Sequence, residues 1–517
     1  MELPGNVFAL LDGTAESDHA NSTAFGFEGE TRTFRECRDR ALAVAGGLHA
    51  QGVRPGDMVA VMMGNRFEWV DTFFGLAALG AVCVPVNVLL TGPEISHVCR
   101  DSGARFLIAD EIAARSLPTV DHEFDMAVAV GEVRVAPAAR LVAWQSIEQG
   151  PQLPSAHVSA TLDDIFVLYY SSGTTGLPKA AVHSHRGVLS NALIQVDGLG
   201  LTEHDRYLLN LSFSWAAGFH NLVLTLINLG GYTEIRRTGS ATMDNVVEII
   251  EKHEITHTMI VPSLLRELVT REDLRNRISA STLTWIATGA EPVPRSIIES
   301  VSHGLPGVAL CQGYGLSEFP SMVTILQTDE VFDHEGSAGR ALPYTELAVH
   351  DKDGTIRTSG RGELLIKSPA TMTGYYNRPE QTTEVLRDGW LHTGDVVELD
   401  DEGFVTIVGR TKDLIISGGL NVYPKEVEDV ILRVPHVREA AVVGVPHERF
   451  GETAVAVIVT DEPGFDPVTV DDACSAQLAS YKRPRKILVR AEPLPRNANS
   501  KLLKRELRPW VAEHLGL

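Results

Sequence analysis

The chain is short of cysteine, of aromatic residues and of positive charge, and these shortages exclude several classes of protein. Five cysteines in 517 residues, Cys37, Cys83, Cys99, Cys311 and Cys474, are odd in number, scattered and never spaced CxxC. Neither a disulfide framework nor a structural zinc site has that pattern, which leaves free buried thiols in a reducing compartment. Lys and Arg number 45 against 67 Asp and Glu, a formal charge of −22. An excess of that sign repels nucleic-acid phosphates and anionic lipid heads, which argues against a basic nucleic-acid binder. The N-terminal run Met-Glu-Leu-Pro-Gly has no basic region and no long apolar stretch, so no signal peptide is predicted. One uncharged run, residues 73–90, nominally reaches membrane-spanning length. Gly75, Gly80, Pro85 and Asn87 interrupt it, and a buried helix, a Gly turn and a short core strand explain it better. The chain is expected to be soluble and cytoplasmic.

A length of 517 residues exceeds what one hydrophobic core sustains, so two or more domains are expected. Up to about residue 410 amphipathic helical stretches such as 33–52 and 243–252 alternate with short apolar runs at 58–63, 106–109, 258–261 and 283–287. Helix and strand in turn predict βαβ units and parallel sheets with helices on both faces. Between 354 and 408 the texture changes to strands and Gly turns, clearest at 362–367 and 404–408. A compact region follows, with predicted helices at 424–433 and 470–478 and strands at 440–445, 453–459 and 486–489. The fold class is α/β: a large N-terminal domain, residues 1–410, of parallel-type sheets flanked by helices with a β-rich subdomain, then a small mobile α+β domain, residues 411–517.

The most informative stretch runs from an apolar strand, 165–170, into Ser171-Ser172-Gly173-Thr174-Thr175-Gly176-Leu177-Pro178-Lys179. Small side chains let backbone N–H groups approach phosphate oxygens, the hydroxyls add donors, and Lys179 supplies charge. The spacing is not that of a Walker loop, which needs Ser or Thr after its Lys. It is not a serine-hydrolase elbow either, because Tyr169 and Tyr170 stand where the first Gly of GxSxG belongs.

This run resembles the AMP-binding signature of the adenylate-forming superfamily, and four more motifs of that family follow in its order. They are Gly313-Tyr314-Gly315-Leu316-Ser317-Glu318, the run 389–395 (GWLHTGD), the run 409–419 (GRTKDLIISGG) leading into Asn421-Val422-Tyr423-Pro424, and the run 495–501 (PRNANSK). The texture is most similar to the fatty-acyl-CoA synthetase branch, acid–CoA ligases that activate a carboxylate as an acyl adenylate before thiol attack. That chemistry brings two anions together, so catalysis is mostly positioning and cationic stabilisation. The resemblance implies ATP, Mg²⁺ and coenzyme A as substrates and cofactor. It implies that Ser171, Ser172, Gly173, Thr174, Thr175, Gly176 and Lys179 hold the phosphates and that Glu318 ligates the metal. Gly313, Tyr314 and Gly315 would stack on adenine, with Ser317 reaching the α-phosphate. Asp395 would accept from the ribose hydroxyls with Arg410 in support. Lys501 matches the catalytic lysine, although Ser500 stands where the family usually has Gly. Lys412 matches the hinge, and Ser417, Gly418 and Gly419 the pantetheine channel formed once the small domain has rotated.

By the same resemblance the acyl pocket is lined by Trp215, Ala216, Gly218, Gly289, Gly313 and Val323. Ser214 stands where amino-acid-activating members place Asp, so no partner exists there for a substrate ammonium. No Arg or Lys among these residues could pair with a second carboxylate. A neutral, largely apolar acid is expected. Trp215 is bulky where small aliphatics are common, which points to a short- or medium-chain fatty acid or an aryl acid instead of a long-chain one.

Two patterns could instead suggest a metal. His253-Glu254-Ile255-Thr256-His257 spells HExxH, but zinc chemistry needs both histidines on one continuing helix and 255–262 has strand periodicity. His183 and His185 are expected to pack or to cap the next helix. The alternatives are a stand-alone adenylation enzyme loading an acyl carrier protein, a luciferase-like oxygenase sharing the motifs, and a regulator without turnover, which should have lost Lys501 or Glu318. Residues 481–510 carry ten Lys and Arg against Glu492 and Glu506, a local balance of +8. That segment is expected to meet the phosphates.

Overall fold

A computed structural model describes residues 3–132, 140–153, 160–171, 178–239, 242–289, 295–496 and 502–516. The chain divides into two compact units, one of residues 1–346 and 366–391, the other of 347–365 and 392–517. No helix among the described residues is long and apolar enough to cross a membrane.

The first unit is built on two mixed sheets. The nine-stranded sheet runs in the order Arg340–Ala341, Ser321–Leu326, Ala309–Leu316, Trp285–Gly289, His257–Met259, Arg206–Leu209, Tyr232–Ile235, Thr23–Phe27 and Glu30–Thr33. Its centre is parallel and both margins are antiparallel. The eight-stranded sheet runs Gly374–Tyr375, Lys179–Ser184, Ile165–Ser171, Val82–Pro85, Met58–Met62, Phe106–Asp110, Met126–Val130 and Leu141–Ala143. The alternation of helix and strand seen in the sequence has this parallel arrangement as its cause: a crossover of a dozen or more residues is needed to return a chain in the same direction.

Local chemistry sets the helix ends. Thr33 caps Phe34–Ala50 in a capping box with Glu36. The helix Met243–Lys252 buries Met243, Val246, Val247 and Ile250, the 3.6-residue stripe that predicted it. The uncharged run near residue 80 is the end of the buried helix Phe67–Leu79, a left-handed turn at Gly80 and the strand Val82–Pro85. That helix delivers Trp69 and Phe73 into an aromatic cluster with Phe166, Phe213 and Phe219, ring centroids 4.1–5.4 Å apart. Each such pair adds about 0.5–1.5 kcal/mol beyond the burial itself.

In the second unit the strands Ile356–Arg357, Glu346–His350, Gly360–Lys367 and Trp390–Leu399 lie side by side, with Val405–Arg410 paired to the last. A further sheet joins Leu420–Val422, Ile415–Ser417, Gly451–Thr460, Val437–His447 and Lys486–Val489. Alternation along Val437–His447 feeds two cores. Ala440 and Val442 face the helices Pro424–Ile431 and Val468–Gln477. Ala441, Val443 and Val445 face Lys504–Leu515 through Leu507 and Val511.

Candidate active site

Strand Ile165–Ser171 and its antiparallel partner Lys179–Ser184 bring Ser171 opposite Lys179, so the phosphate-type loop begins and ends at one paired position. Ser172, Gly173, Thr174, Thr175 and Gly176 lie outside the described residues. The Lys179 ammonium sits 3.5 Å from the centroid of the Tyr375 ring. Burial pulls its pKa down and the nearby Glu318 carboxylate opposes that. The Tyr375 hydroxyl donates to Glu318 Oε1 at 2.7 Å. Burial and then the Glu318 charge push the phenol pKa up, so it stays a donor.

The segment that carries Tyr375 is held to the loop by its backbone. Gly374 and Tyr375 pair with Val182 and Ala181, and Met372 N–H donates to the Glu318 carbonyl at 2.9 Å. At the other end of the loop the Tyr170 hydroxyl donates to Asp101 at 2.9 Å, and Asp101 pairs with Arg378. One short stretch thus grips both margins of the loop and the candidate metal ligand. The sequence reading missed Tyr375, Asp101 and Arg378. The only signal was the cluster Gly374-Tyr375-Tyr376-Asn377-Arg378-Pro379, which no spacing rule ties to Lys179.

Gly313, Tyr314 and Gly315 lie on strand Ala309–Leu316, with Ser317 and Glu318 in the turn after it. A bulge sits at Gly315, where a Cβ would fall 1.6 Å from the Ser321 carbonyl oxygen. Only glycine allows that approach. Gly289 pairs in parallel with Gly313, and a Cβ on it would meet the Gly313 oxygen at 2.5 Å. His183, expected to pack or cap, is buried and its Nε2 donates to the Ser317 carbonyl at 2.7 Å. Burial drives its pKa down to about 4, so it is a neutral donor holding the turn. His185 Nδ1 accepts from Val7 N–H at 3.1 Å, while Ser184 caps the following helix.

Trp215 precedes the short helix Ala216–His220, which carries Ala216 and Gly218 and packs against Ser321–Leu326, the strand of the buried Val323. The predicted acyl-lining residues are therefore drawn onto neighbouring elements. Ser214 bonds to Ser212 at 2.9 Å between hydroxyls, a neutral pair.

In the second unit Asp395 and Arg410 pair across strands Trp390–Leu399 and Val405–Arg410, and Arg410 Nε lies 2.8 Å from a 5% exposed Asp395 side chain. Asp395 N–H donates to Thr393 Oγ1 at 3.1 Å, Thr393 Oγ1 to the Leu364 carbonyl at 2.9 Å, and Gly394 N–H to Glu363 Oε1 at 3.0 Å. The predicted ribose ligand is thereby fixed through its own turn. Lys412 is exposed in the turn Thr411–Asp413. Ser417 is buried at the end of Ile415–Ser417, and Gly418 and Gly419, at φ of 60° and 81°, make the two-residue hairpin to Leu420–Val422. Lys501 lies outside the described residues, while Arg496 and Leu502 on either side of 497–501 are bridged.

The decoy dissolves. His253 ends its helix with Nδ1 3.2 Å from Glu234, and His257 opens a strand with Nδ1 3.4 Å from Asp205. Part of the charge of the basic stretch is paired within its own unit. Lys482, Lys504 and Arg496 are paired with Glu426, Glu428 and Glu439 at 2.5, 2.6 and 3.2 Å. Three acids from outside the stretch thus offset part of its surplus.

Comparison with known proteins gives the same frame. Residues 12–376 match the AMP-binding enzyme family and residues 426–501 the AMP-binding enzyme C-terminal domain. The chain is 35% identical over 478 residues to long-chain-fatty-acid–CoA ligase FadD13 of Mycobacterium tuberculosis, covering 92% of each. It is 34% identical over 495 residues to feruloyl-CoA synthase of an Amycolatopsis species, covering 95% of this chain and 96% of that one. Among solved structures, o-succinylbenzoate coenzyme A synthetase of Bacillus subtilis with ATP and magnesium ion superposes at a TM-score of 0.82 and 29% identity, covering 96% and 98%.

Proposed function

The chain belongs to the AMP-binding enzyme family and is an acid–thiol ligase that uses ATP, Mg²⁺ and coenzyme A, and from that premise we propose how its residues divide the work. In the first step an oxygen of the substrate carboxylate attacks the α-phosphorus. The new O–P bond makes the acyl adenylate, and the bond to the β-phosphate breaks to release pyrophosphate. In the second step the thiol of coenzyme A attacks the acyl carbon and AMP departs, an easier leaving group than oxide.

The observation that carries this assignment is the trio Lys179, Tyr375 and Glu318 at the margin of the phosphate loop. Lys179 serves the phosphates as a cation. Glu318, with one oxygen on Tyr375, suits Mg²⁺, which takes one or two carboxylates and the phosphates of its nucleotide. Mg²⁺ there neutralises phosphate charge. Gly313, Tyr314 and Gly315 take the adenine and Ser317 the α-phosphate, Asp395 with Arg410 takes the ribose, and Lys501 bridges the attacking carboxylate and the α-phosphate. Ser171 to Gly176 hold the phosphates. Residues 411–517 form the mobile part, with Lys412 as hinge and Ser417, Gly418 and Gly419 lining the thiol channel. The five cysteines, all buried and free, suit a cytoplasmic enzyme.

The acid, in this reading, is an aryl or a short- to medium-chain one. Trp215 supports it, as does the neutral Ser214–Ser212 pair. The test is pyrophosphate release over a panel of acids, with and without coenzyme A, on wild type and Lys501→Ala. Release should depend on the acid and end in acyl-CoA, and Lys501→Ala should lose on the order of 10²-fold or more in adenylation. Adenylation unchanged in Lys501→Ala would remove its role. Transfer to a carrier protein but not to coenzyme A would overturn the acceptor, and kcat/KM climbing steadily through the long-chain acids would overturn the substrate class.

A further inference from the structure

His350, Glu363 and His392 stand on three neighbouring strands of the second unit, Glu346–His350, Gly360–Lys367 and Trp390–Leu399. Each offers one donor atom, and these atoms lie within 4.8 Å of one another. Among the described residues no other three His, Cys, Asp or Glu side chains do so. His392 is buried, its ring is edge-on to His350 at 5.5 Å, and its Nδ1 lies 2.9 Å from Glu363 Oε2. His350 and Glu363 are half-buried, so an ion has a way in.

We propose that these three side chains bind a late first-row divalent cation of the Zn²⁺ class, and that its binding lowers the affinity for ATP. Two imidazoles and one carboxylate suit Zn²⁺, with water in the fourth position, and hardly suit Mg²⁺ or Ca²⁺. The movement required is small. Zinc bonds of about 2.0–2.1 Å set tetrahedral ligand atoms roughly 3.3 Å apart, so the His392–Glu363 contact opens by about 0.4 Å while His350 turns inward. The second Glu363 oxygen is already oriented by Gly394 N–H at 3.0 Å, the outer contact a ligating carboxylate needs. The same contact gives the site its consequence. Gly394 precedes Asp395, so a cation that draws Glu363 toward the histidines pulls on the turn that presents Asp395. Binding of the cation is independent of the functional reading, and only its effect on ATP rests on Asp395 as ribose ligand.

The experiment uses the full-length protein freed of metal and titrated with Co²⁺, whose visible absorption reports tetrahedral coordination, with Zn²⁺ as competitor. One Co²⁺ per chain displaced by Zn²⁺ is expected. His350→Gln and Glu363→Gln should each weaken binding by at least about tenfold, and Glu363→Gln keeps an oxygen for Gly394 N–H. No absorption in the wild type, or binding unchanged in both variants, overturns the site. The KM for ATP is then measured with and without Zn²⁺ at fixed Mg²⁺. A rise in the wild type that is absent in His350→Gln, whose basal activity is unchanged, supports the coupling. An equal rise in both, or no rise in the wild type once Co²⁺ binding is shown, overturns the coupling and leaves the cation site standing.

Discussion

Replacing Tyr375 by Phe removes one oxygen and leaves the ring, which isolates the bond to Glu318 from the contact with Lys179. The bond is a 2.7 Å donation to a carboxylate from a side chain only 7% exposed. Hydrogen bonds to charged groups are worth about 1.5–3 kcal/mol, and 1.4 kcal/mol is a factor of about ten. If Tyr375 orients Glu318 for its cation, Tyr375→Phe loses about tenfold or more in kcat/KM for MgATP. The concentration of Mg²⁺ needed for half-maximal rate rises, and KM for the acid stays put. Lys179 keeps its ring face, a cation–π contact worth about 0.5–2 kcal/mol, until the change is Tyr375→Leu, which should cost a further several-fold. Steady-state pyrophosphate release at varied Mg²⁺ and ATP measures both, and urea midpoints of the two variants separate positioning from stability. A Phe variant within twofold of wild type would refute the reasoning. So would one that saturates at lower Mg²⁺, because the hydroxyl would then be competing with the cation for Glu318 instead of orienting it.

Acid should unfold the protein through its buried histidines. Burial drives His183, His185 and His220 down to about 4, 4 and 3, against about 6.5 in an unfolded chain. The unfolded chain therefore takes up protons first. The stability these groups contribute is whole above about pH 6.5 and is lost as pH falls toward 4, at up to about 1.4 kcal/mol per pH unit for each. Urea midpoints from pH 7 to 5 should fall, and His185→Gln, which keeps an acceptor for Val7 N–H, should flatten that slope by about a third; an unchanged slope counts against the account. At the acyl site Trp215→Ala should move the chain-length optimum toward longer acids with KM for ATP unchanged, read from kcat/KM over a fatty-acid series. An optimum that stays in place would show that Trp215 does not limit the pocket.

What was legible in the sequence was what depends on neighbours in the chain. Met243–Lys252 could be read because its apolar residues recur every third or fourth position and one face is buried. The strand predicted at 440–445 is longer, Val437–His447, because Arg438, Glu439, Pro446 and His447 break the apolar run while ladder bonds to Gly451–Thr460, which leave no mark in hydrophobicity, hold them in the sheet. Asp395 and Arg410 were legible as motif residues, and the fold supplies the reason they come as a pair: they face each other across two strands. Tyr375 was not legible, since its value lies in reaching Lys179 and Glu318 from a distant part of the chain. The charge balance of the basic tail was legible only in part for the same reason. A charge count along residues 481–510 cannot see Glu426, Glu428 and Glu439 folding onto it.

This pairing bears on how a chain of charge −22 handles anionic substrates. A long-range attractive field is not available to it, because at physiological ionic strength charges more than about 8 Å apart are screened and the net sign is unfavourable. Attraction has to be built at contact range, one cation at a time. Lys179 shows how in the proposed site: it is half-buried over a tyrosine face with Glu318 close by, and no direct salt bridge neutralises it among the described residues. Arg410 is engaged by Asp395 and thereby fixed beside the proposed ribose ligand. An aromatic partner holds Lys179 and a carboxylate holds Arg410, as the proposed site requires of them. In such a site a one-atom change at Tyr375 outweighs the gain or loss of a surface charge, which is why the tyrosine and not the basic tail is the residue to perturb first.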